Sequence, residues 1–438
     1  MKILSLFDGM ACGMLAMQAA GIKVDRYVAF EIDKYAVKTS SHNFPMIEHR
    51  GDVFHADFTE FSGFDFLVGG SPCTYWSIAQ KNNRETEASG MGWELFSQYV
   101  RALKEAQPKY FIYENNKSMS NAIRESITNT FGFEPICINS ALVSAQNRQR
   151  LYWVGKRNLN GTYSKVHVDQ PEDRGILLRD VLDGLCWKDK SYTIDSNYHK
   201  TLGQQGFERQ SGRRKMVAEP VVVFKELTER EMDYMVRSTN GKYSDRWAYL
   251  QKPGQNDKAL CITANISKGV PYNIVAQPIR VGAMPRPNGE LSTSQAFRVY
   301  STNGKSVNIT AGGGGAGGKT GLYAIPVEFD GDIPIKAVSS ADGKTYTVYQ
   351  VKDGQITIKD KQYPIKLADG YYIIRKLTVS ECKRLQTVPE WYEFPVSDTQ
   401  AYKMLGNGWT VEVIAHLIRA TQADDLEDEQ LNLFEMWG

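Results

Sequence analysis

Phe64-Asp65-Phe66-Leu67-Val68-Gly69-Gly70-Ser71-Pro72-Cys73 is a strongly apolar strand running out into small residues, a proline and a thiol. Open α/β sheets place their reactive groups at the carboxyl ends of strands, which is where Cys73 falls. Proline fixes its own φ and biases Ser71 towards an extended conformation, so backbone rather than packing aims the thiol. A nucleophile and a buried structural cysteine both fit that position, the second being the commoner use of a free thiol.

Outward from this stretch, strand and helix alternate from Met1 to about Arg157. Ile3 to Phe7 is a short apolar strand, and Asp8-Gly9 turns into a helix through Met14, Leu15 and Ala19. Tyr27 to Ile32 is a second strand, followed by a polar helix over Asp33 to His42, and a third short strand leads into Gly51-Asp52-Val53. Trp93 to Glu105 has apolar residues at helical spacing, Tyr110 to Tyr113 is another strand, and two more follow near 135–142 and 151–155. The alternation predicts βαβ units in a largely parallel, doubly wound sheet. After about Asp180 turns such as Asn240-Gly241 and Asn288-Gly289 take over, and 346–367 alternates as a hairpin about Asp353-Gly354. The expected class is α/β, a doubly wound Rossmann-like domain with a second, irregular β-rich domain. The expected boundaries are 1–185 for the first part of the α/β domain, 186–397 for the second domain, and 398–438 for a completing helix plus acidic tail. Helix is expected over Thr410 to Arg419, and the acids beyond it as a solvated, partly disordered end.

A chain of 438 residues exceeds the usual single-core limit. Its 42% apolar and 23% charged content is that of a soluble globular protein. No run of about 18 apolar residues and no signal-peptide pattern is present, so a cytoplasmic protein without a membrane partner is expected. The six cysteines are scattered, with no zinc spacing, and no metal is expected. The net charge of +2 conceals 19 Lys/Arg against 11 Asp/Glu between Trp187 and Lys305, while the last 18 residues carry six acids and no base. A basic middle suits a polyanion, although a solvated surface has the same composition.

Phe7-Asp8-Gly9-Met10-Ala11-Cys12-Gly13 closes the first strand with small residues before a helix, as a ligand approaching backbone amides requires. Glu31 ends the second strand, placed to hold ribose hydroxyls, and Asp52 ends the third, placed to accept from an adenine amino group. A dinucleotide and an adenosyl cofactor both fit that far. Glu114, in Tyr113-Glu114-Asn115-Asn116, joins the same row of strand ends as Cys73; a capping acid is the alternative. Gln146-Asn147-Arg148-Gln149-Arg150 places two arginines on one face of an extended segment, suited to phosphates or a base carbonyl, or else simply basic surface.

In order, FxGxxxG, Glu, GDV, SPC, ENx, QxRxR, a long insert, Arg375-x-Leu377-Thr378-x-x-Glu381-x-x-Arg384-Leu385-Gln386-x-x-Pro389 and Gly406-Asn407 resemble the cytosine-C5 DNA methyltransferase family. The resemblance covers roughly 1–183 and 372–420; the catalytic blocks look like the de novo, CpG-directed branch, the insert like bacterial and phage members. It implies sequence-specific methylation of C5 of a flipped-out cytosine in duplex DNA, with S-adenosylmethionine as cofactor and a covalent cysteine adduct at C6. Cys73 would be the nucleophile, Glu114 would protonate N3, and Arg150 and Arg148 would bind the base carbonyl and a nearby phosphate. Phe7, Asp8, Gly9, Gly13, Glu31, Ile32, Asp52, Val53, Pro72, Asn407 and Trp409 would line the cofactor pocket. The insert would be the target-recognition domain. DNA contacts are expected from Ser77, Gln80, Arg213, Arg214 and Arg298, and a mobile loop over Ser77 to Gly92 would close on the flipped base. The resemblance implies a monomer at the nucleoid of a bacterial or phage-infected host, and leaves room for a cognate restriction endonuclease acting separately.

Two departures stand out: Asn116 replaces the usual hydrophobic residue after Glu-Asn, and Met10-Ala11-Cys12-Gly13 replaces the commoner Ile-Gly-Gly type. The rival readings are an RNA-directed relative, a catalytically silent DNA-binding regulator, and a nicotinamide dehydrogenase. Cys73, Glu114 and Arg150 count against the regulator, the large insert against RNA, and Pro72-Cys73 with the 375–389 block against the dehydrogenase.

Overall fold

The computed structural model describes residues 1–72, 74–77, 84–183, 278–292, 294–308, 321–327, 336–338 and 344–437. The chain divides into two compact units, Met1–Asp183 with Gln277–Gly438, and Gly184–Ala276; the described residues belong to the first.

The first sheet contains β1 (Lys2–Leu6), β2 (Arg26–Phe30), β3 (Glu48–His49), β4 (Phe66–Gly69), β5 (Tyr110–Asn116), β6 (Ile136–Asn139), β7 (Gln149–Arg157) and β8 (Tyr163–Lys165). Its order is β3-β2-β1-β4-β5-β7-β6, with β8 beside β7. β1 pairs in parallel with both β2 and β4, so strand order reverses between β1 and β4, the crevice where open α/β sheets bind ligands. The Rossmann-like, doubly wound class is therefore the observed one. One feature differs from a parallel reading: β7 lies antiparallel between β5 and β6. The 140–148 connection cannot hold the crossover of about a dozen residues that a parallel return needs.

Helices α1 (Cys12–Ala19), α2 (Lys34–Asn43), α3 (Gly90–Ala106) and α4 (Asn121–Phe131) connect these strands. Their ends follow local chemistry: Asp33 caps α2 by accepting from the Tyr35 amide at 2.9 Å, and Gly132 closes α4 at φ 84°. Alternation along the strands separates two cores. Ile3, Phe66, Val68, Tyr110 and Ile112 face α1, whereas Leu4, Leu6, Leu67, Phe111 and Tyr113 face α3 and α4. Both faces are covered, which is why these strands read as continuous apolar runs.

The second sheet is formed by β9 (Arg280–Ala283), β10 (Arg298–Ser301), β11 (Leu322–Val327), β12 (Lys336–Val338), β13 (Thr345–Lys352), β14 (Gln355–Ile358), β15 (Lys361–Pro364) and β16 (Gly370–Arg375). Its order is β15-β14-β13-β16-β11-β10-β9, with β12 on β13, and only the β10–β11 pair is parallel. The expected hairpin is present: Val351 pairs with Ile356 across Asp353 (φ 51°) and Gly354 (φ 70°), the positive-φ pair a two-residue turn requires.

After β16 the chain returns to the first core through α5 (Val379–Leu385), α6 (Asp398–Asn407) and α7 (Val411–Trp437). Leu377, Cys382, Leu385, Val388 and Tyr392 are buried there with α1 and α7. The turn into α5 holds a fully buried ion pair, Arg375 bonding both oxygens of Glu381 at 2.7 and 2.6 Å. Glu381 also accepts from the Thr378 amide, and Thr378 Oγ1 from the Glu381 amide, a reciprocal cap. The helix expected over 410–419 continues through the acids instead of ending before them. Asp424 and Asp425 dock on Lys156 at 2.7 and 3.3 Å, and Asp425 also takes Lys109 at 2.6 Å, so the tail's charge is paired at this point. No described helix is long and apolar enough to cross a membrane.

Candidate active site

The loop leaving β1 is built on three positive φ values, Phe7 57°, Gly9 60° and Ala11 60°, and two of its amides bond back into the protein, Asp8 to the Phe30 carbonyl and Ala11 to the Asp8 carbonyl, each at 3.2 Å. The Gly9 amide donates to Glu31 Oε2 at 2.8 Å, while Glu31 Oε1 accepts from the Ile32 and Asp33 amides at 2.8 and 2.7 Å. Glu31 thus ties the first two strand ends together, and Ile32 beside it is left 76% exposed, an apolar side chain open to a ligand. Asp52 caps the short turn at Val53–His55 by accepting from the Phe54 amide at 3.0 Å; the Val53 side chain lies in the α3-side core.

Asp8 points beneath the loop: one oxygen accepts from Ser5 Oγ at 2.6 Å and Tyr27 Oη at 2.7 Å, and the other is buried without a partner. Burial, then the nearby charge of Glu31, outweigh those bonds and push its carboxyl up to about 6. Gly13 is a packing glycine, because a Cβ there would lie 2.5 Å from Tyr27 Oη. The unusual Met10-Ala11-Cys12 block is buried, and burial pushes the Cys12 thiol up to about 12. Cys137 and Cys382 are raised by burial as well, so none of these three offers a thiolate near neutral pH.

At the end of β4, close approach explains the glycine pair. A Cβ on Gly69 would lie 2.7 Å from the Leu6 carbonyl, and one on Gly70 would lie 2.8 Å from both the carbonyl and Oε2 of Glu114. Ser71 Oγ bonds Tyr113 Oη at 2.7 Å, and Asn115 Nδ2 donates to the Ser71 carbonyl and Tyr113 Oη, each at 3.2 Å. Asn115 thereby holds the backbone that enters Pro72; Cys73 and Gln80 lie outside the described residues. Asn116 is 4% exposed, donates to Asn115 Oδ1 at 2.8 Å through its backbone amide, and accepts from Ser118 Oγ at 2.8 Å. Its polarity is absorbed locally.

Glu114 is buried with both oxygens engaged: Arg150 Nε approaches Oε1 at 3.0 Å, and Trp409 Nε1 donates to Oε2 at 3.0 Å. Arg148 does not share this position. The residue is 3% exposed, and its guanidinium donates to Asn308 Oδ1 at 2.8 Å, the Gly406 carbonyl at 3.2 Å and the Gly408 carbonyl at 2.8 Å. The expectation that both arginines lie on one face of an extended segment is corrected here: β7 begins at Gln149, Arg148 lies just before it, and its guanidinium goes to Asn308, Gly406 and Gly408 while that of Arg150 goes to Glu114. Gln386 supports the same α6–α7 connection, donating to the Leu405 carbonyl at 2.6 Å and accepting from Thr410 Oγ1 at 2.9 Å. Its place in the Arg-Leu-Gln motif was visible in sequence, but not this role. Asn407, at the end of α6, is exposed.

The described residues on either side of 78–83, within the stretch expected to form a loop over the flipped base, are bonded to the body of the protein. Trp76 is fully buried and donates to Glu85 at 3.1 Å, Arg84 donates to the carbonyls of Trp76 at 3.1 Å and Ser118 at 2.7 Å, and α3 already begins at Gly90. Ser77 is half-buried just before the undescribed residues 78–83. Arg298 starts β10 and bonds Gln295 Oε1 at 2.9 Å, whereas Arg213 and Arg214 lie outside the described residues. Among the described residues, no group of His, Cys, Asp and Glu side chains could hold a metal ion.

The C-5 cytosine-specific DNA methylase family matches residues 1–423. An orphan methyltransferase of Bacillus phage rho11s, M.Rho11sI, is 28% identical over 81% of this chain and 68% of its own length. The type II methyltransferase M.HgiCII of Herpetosiphon aurantiacus is 25% identical over 98% of both chains. The strand-end row of Glu31, Gly70 and Glu114, closed by Trp409 from the far end of the chain, thus lies in a sequence matched almost throughout, and the chain belongs to the C-5 cytosine-specific DNA methylases, enzymes that methylate cytosine in DNA.

Proposed function

We propose that the protein methylates C5 of a target cytosine in duplex DNA through a covalent adduct of Cys73, with S-adenosylmethionine as methyl donor. The observation that carries this reading is the clamped carboxylate of Glu114, packed against Gly70 three residues before Cys73 and held by Arg150 and Trp409. Cytosine C5 is a weak nucleophile. Addition of the Cys73 thiolate to C6, with a proton passed from Glu114 to N3, converts the ring to an enamine nucleophilic at C5. After methylation, loss of the C5 proton to a base, expulsion of the Cys73 thiolate from C6 and return of the N3 proton to Glu114 restore the neutral aromatic ring. Arg150 holds Glu114 from one side and suits the base carbonyl. Arg148 acts on the protein instead.

The residues present fit the cofactor. The positive-φ loop Phe7–Ala11 leaves the end of β1, Glu31 and Asp52 follow neighbouring strands, Ile32 offers an exposed apolar side chain, and Asp8 keeps a partnerless buried oxygen below. These residues, with Asn407 and Trp409, would hold S-adenosylmethionine, which supplies an electrophilic methyl group when bound. Gly13 and Val53 serve by packing.

The second sheet together with 184–276 would read the target, within the 186–397 region expected for target recognition. A target base is out of reach while stacked, so flipping is part of this reading. Ser77, Gln80, Arg213, Arg214 and Arg298 remain its DNA-contact candidates, phosphate contacts supplying affinity and a few side chains the sequence choice. The test is bisulfite sequencing of a methylation-free host expressing the wild type or Cys73→Ser. A fixed motif converted only by the wild type supports the reading. Soluble wild-type protein that leaves all cytosines unmethylated overturns it.

A further inference from the structure

Resting on that reading, we infer that Asn308 and Arg148 are positioning residues for methyl transfer, linking the segment that leaves β10 to the peptide that carries Trp409 and, through it, to Glu114. The segment Thr302–Asn308 is woven into the catalytic lobe. The Ser306 amide donates to the Ala145 carbonyl at 2.7 Å, the Asn147 amide to the Ser306 carbonyl at 3.0 Å, and buried Lys305 to the carbonyls of Ser144, at 3.0 Å, and Ile176. At its end, Asn308 Oδ1 meets Arg148 Nη1 at 2.8 Å, and that nitrogen also serves the Gly406 carbonyl at 3.2 Å.

The other arm of the guanidinium holds the Gly408 carbonyl at 2.8 Å, one residue before Trp409, whose indole holds Glu114. Gln386 already donates to that carbonyl at 3.3 Å, so what Arg148 adds is the link to Asn308. The connection has little slack: a Cβ on Gly408 would lie 3.0 Å from the Met404 carbonyl and 3.1 Å from Cys12 Sγ. A planar guanidinium fixes its acceptors in direction as well as distance, so a shift of Asn308 alters how Nη1 holds Gly406. The sequence that follows Asn308, Ile309-Thr310-Ala311 and then the glycine run 312–318, belongs to the region assigned above to reading DNA. The position of the Thr302–Asn308 segment is thereby coupled to the set of the catalytic acid.

The experiment measures single-turnover methyl transfer from labelled S-adenosylmethionine to methyl-free genomic DNA, alongside S-adenosylmethionine affinity without DNA and thermal denaturation. Asn308→Ala is expected to slow transfer about tenfold with cofactor affinity unchanged, the size of one lost hydrogen bond to a charged group. Asn308→Asp, which keeps the acceptor, is expected to restore the rate. Wild-type transfer rates in Asn308→Ala overturn the inference, as does an Asn308→Asp protein as slow as Asn308→Ala. Should Asn308→Ala fail to fold, Asn308→Gln tests the same link: slowed transfer at unchanged cofactor affinity supports it, and a wild-type rate overturns it. Absence of transfer by the wild type is a separate failure, that of the underlying functional reading.

Discussion

The indole N–H of Trp409 donates to Oε2 of Glu114 across 3.0 Å and 295 positions of sequence. It makes the connection between the last two helices of the chain a part of the site built by the fifth strand. Trp409→Phe keeps the ring and removes the donor. Loss of one bond to a carboxylate, about 1.5–3 kcal/mol, corresponds to roughly a ten- to hundred-fold fall in methyl transfer. Single-turnover assays beside S-adenosylmethionine binding measure it, and an unchanged rate would show that Glu114 is held well enough without it.

Gly70→Ala places a methyl group 2.8 Å from the backbone carbonyl and Oε2 of Glu114. The carbonyl belongs to a central strand and cannot give, so the carboxylate is displaced. Methyl transfer should fall by about two orders of magnitude, the scale of a misplacement of about 1 Å. Circular dichroism should report a folded protein. Full activity in this variant would contradict the packing described.

Asp8 carries the clearest pH signature. Its carboxyl is pushed up to about 6 from 3.8, so between those values the folded protein holds a proton that the unfolded chain has released. Its contribution therefore falls as pH rises through that window, and the ionised group is destabilising above it. Asp8→Asn should accordingly gain stability over wild type at about pH 8, by up to about 3 kcal/mol, and lose that advantage at about pH 4. Urea denaturation at both values measures this; an equal difference at the two pH values would refute it.

Glu381→Gln leaves Arg375 buried without its counter-charge at a site where both side chains are 1% exposed or less. Breaking a buried pair in this way costs about 3–5 kcal/mol. A marked drop in the denaturation midpoint is expected, and a midpoint within about 0.5 kcal/mol of wild type would mean water reaches the pair.

The site was legible in sequence wherever chemistry depends on neighbours along the chain. Gly9, Glu31 and Gly70 follow strands whose apolar runs are plain, Glu114 lies in the last residues of another, and a strand's end fixes where its next residues lie. The hairpin at Asp353-Gly354 was legible for the same reason, since two positive φ values are a local demand. Arg148 was not: strand alternation suggested a partner for Arg150, but the strand begins one residue later, and the guanidinium found its acceptors 160 to 260 positions away. Nor could spacing reveal that Gln386 supports the α6–α7 connection, that Asn115 holds Ser71, or that the acids at 424 and 425 dock on Lys109 and Lys156.

By itself, the order of motifs determined the family and the α/β class, because these follow from residue type and strand periodicity. Only the tertiary structure decided which charged and polar groups pair. Buried donors and acceptors must be satisfied by whatever the packed elements bring within about 3 Å, and that proximity is a property of the folded chain as a whole.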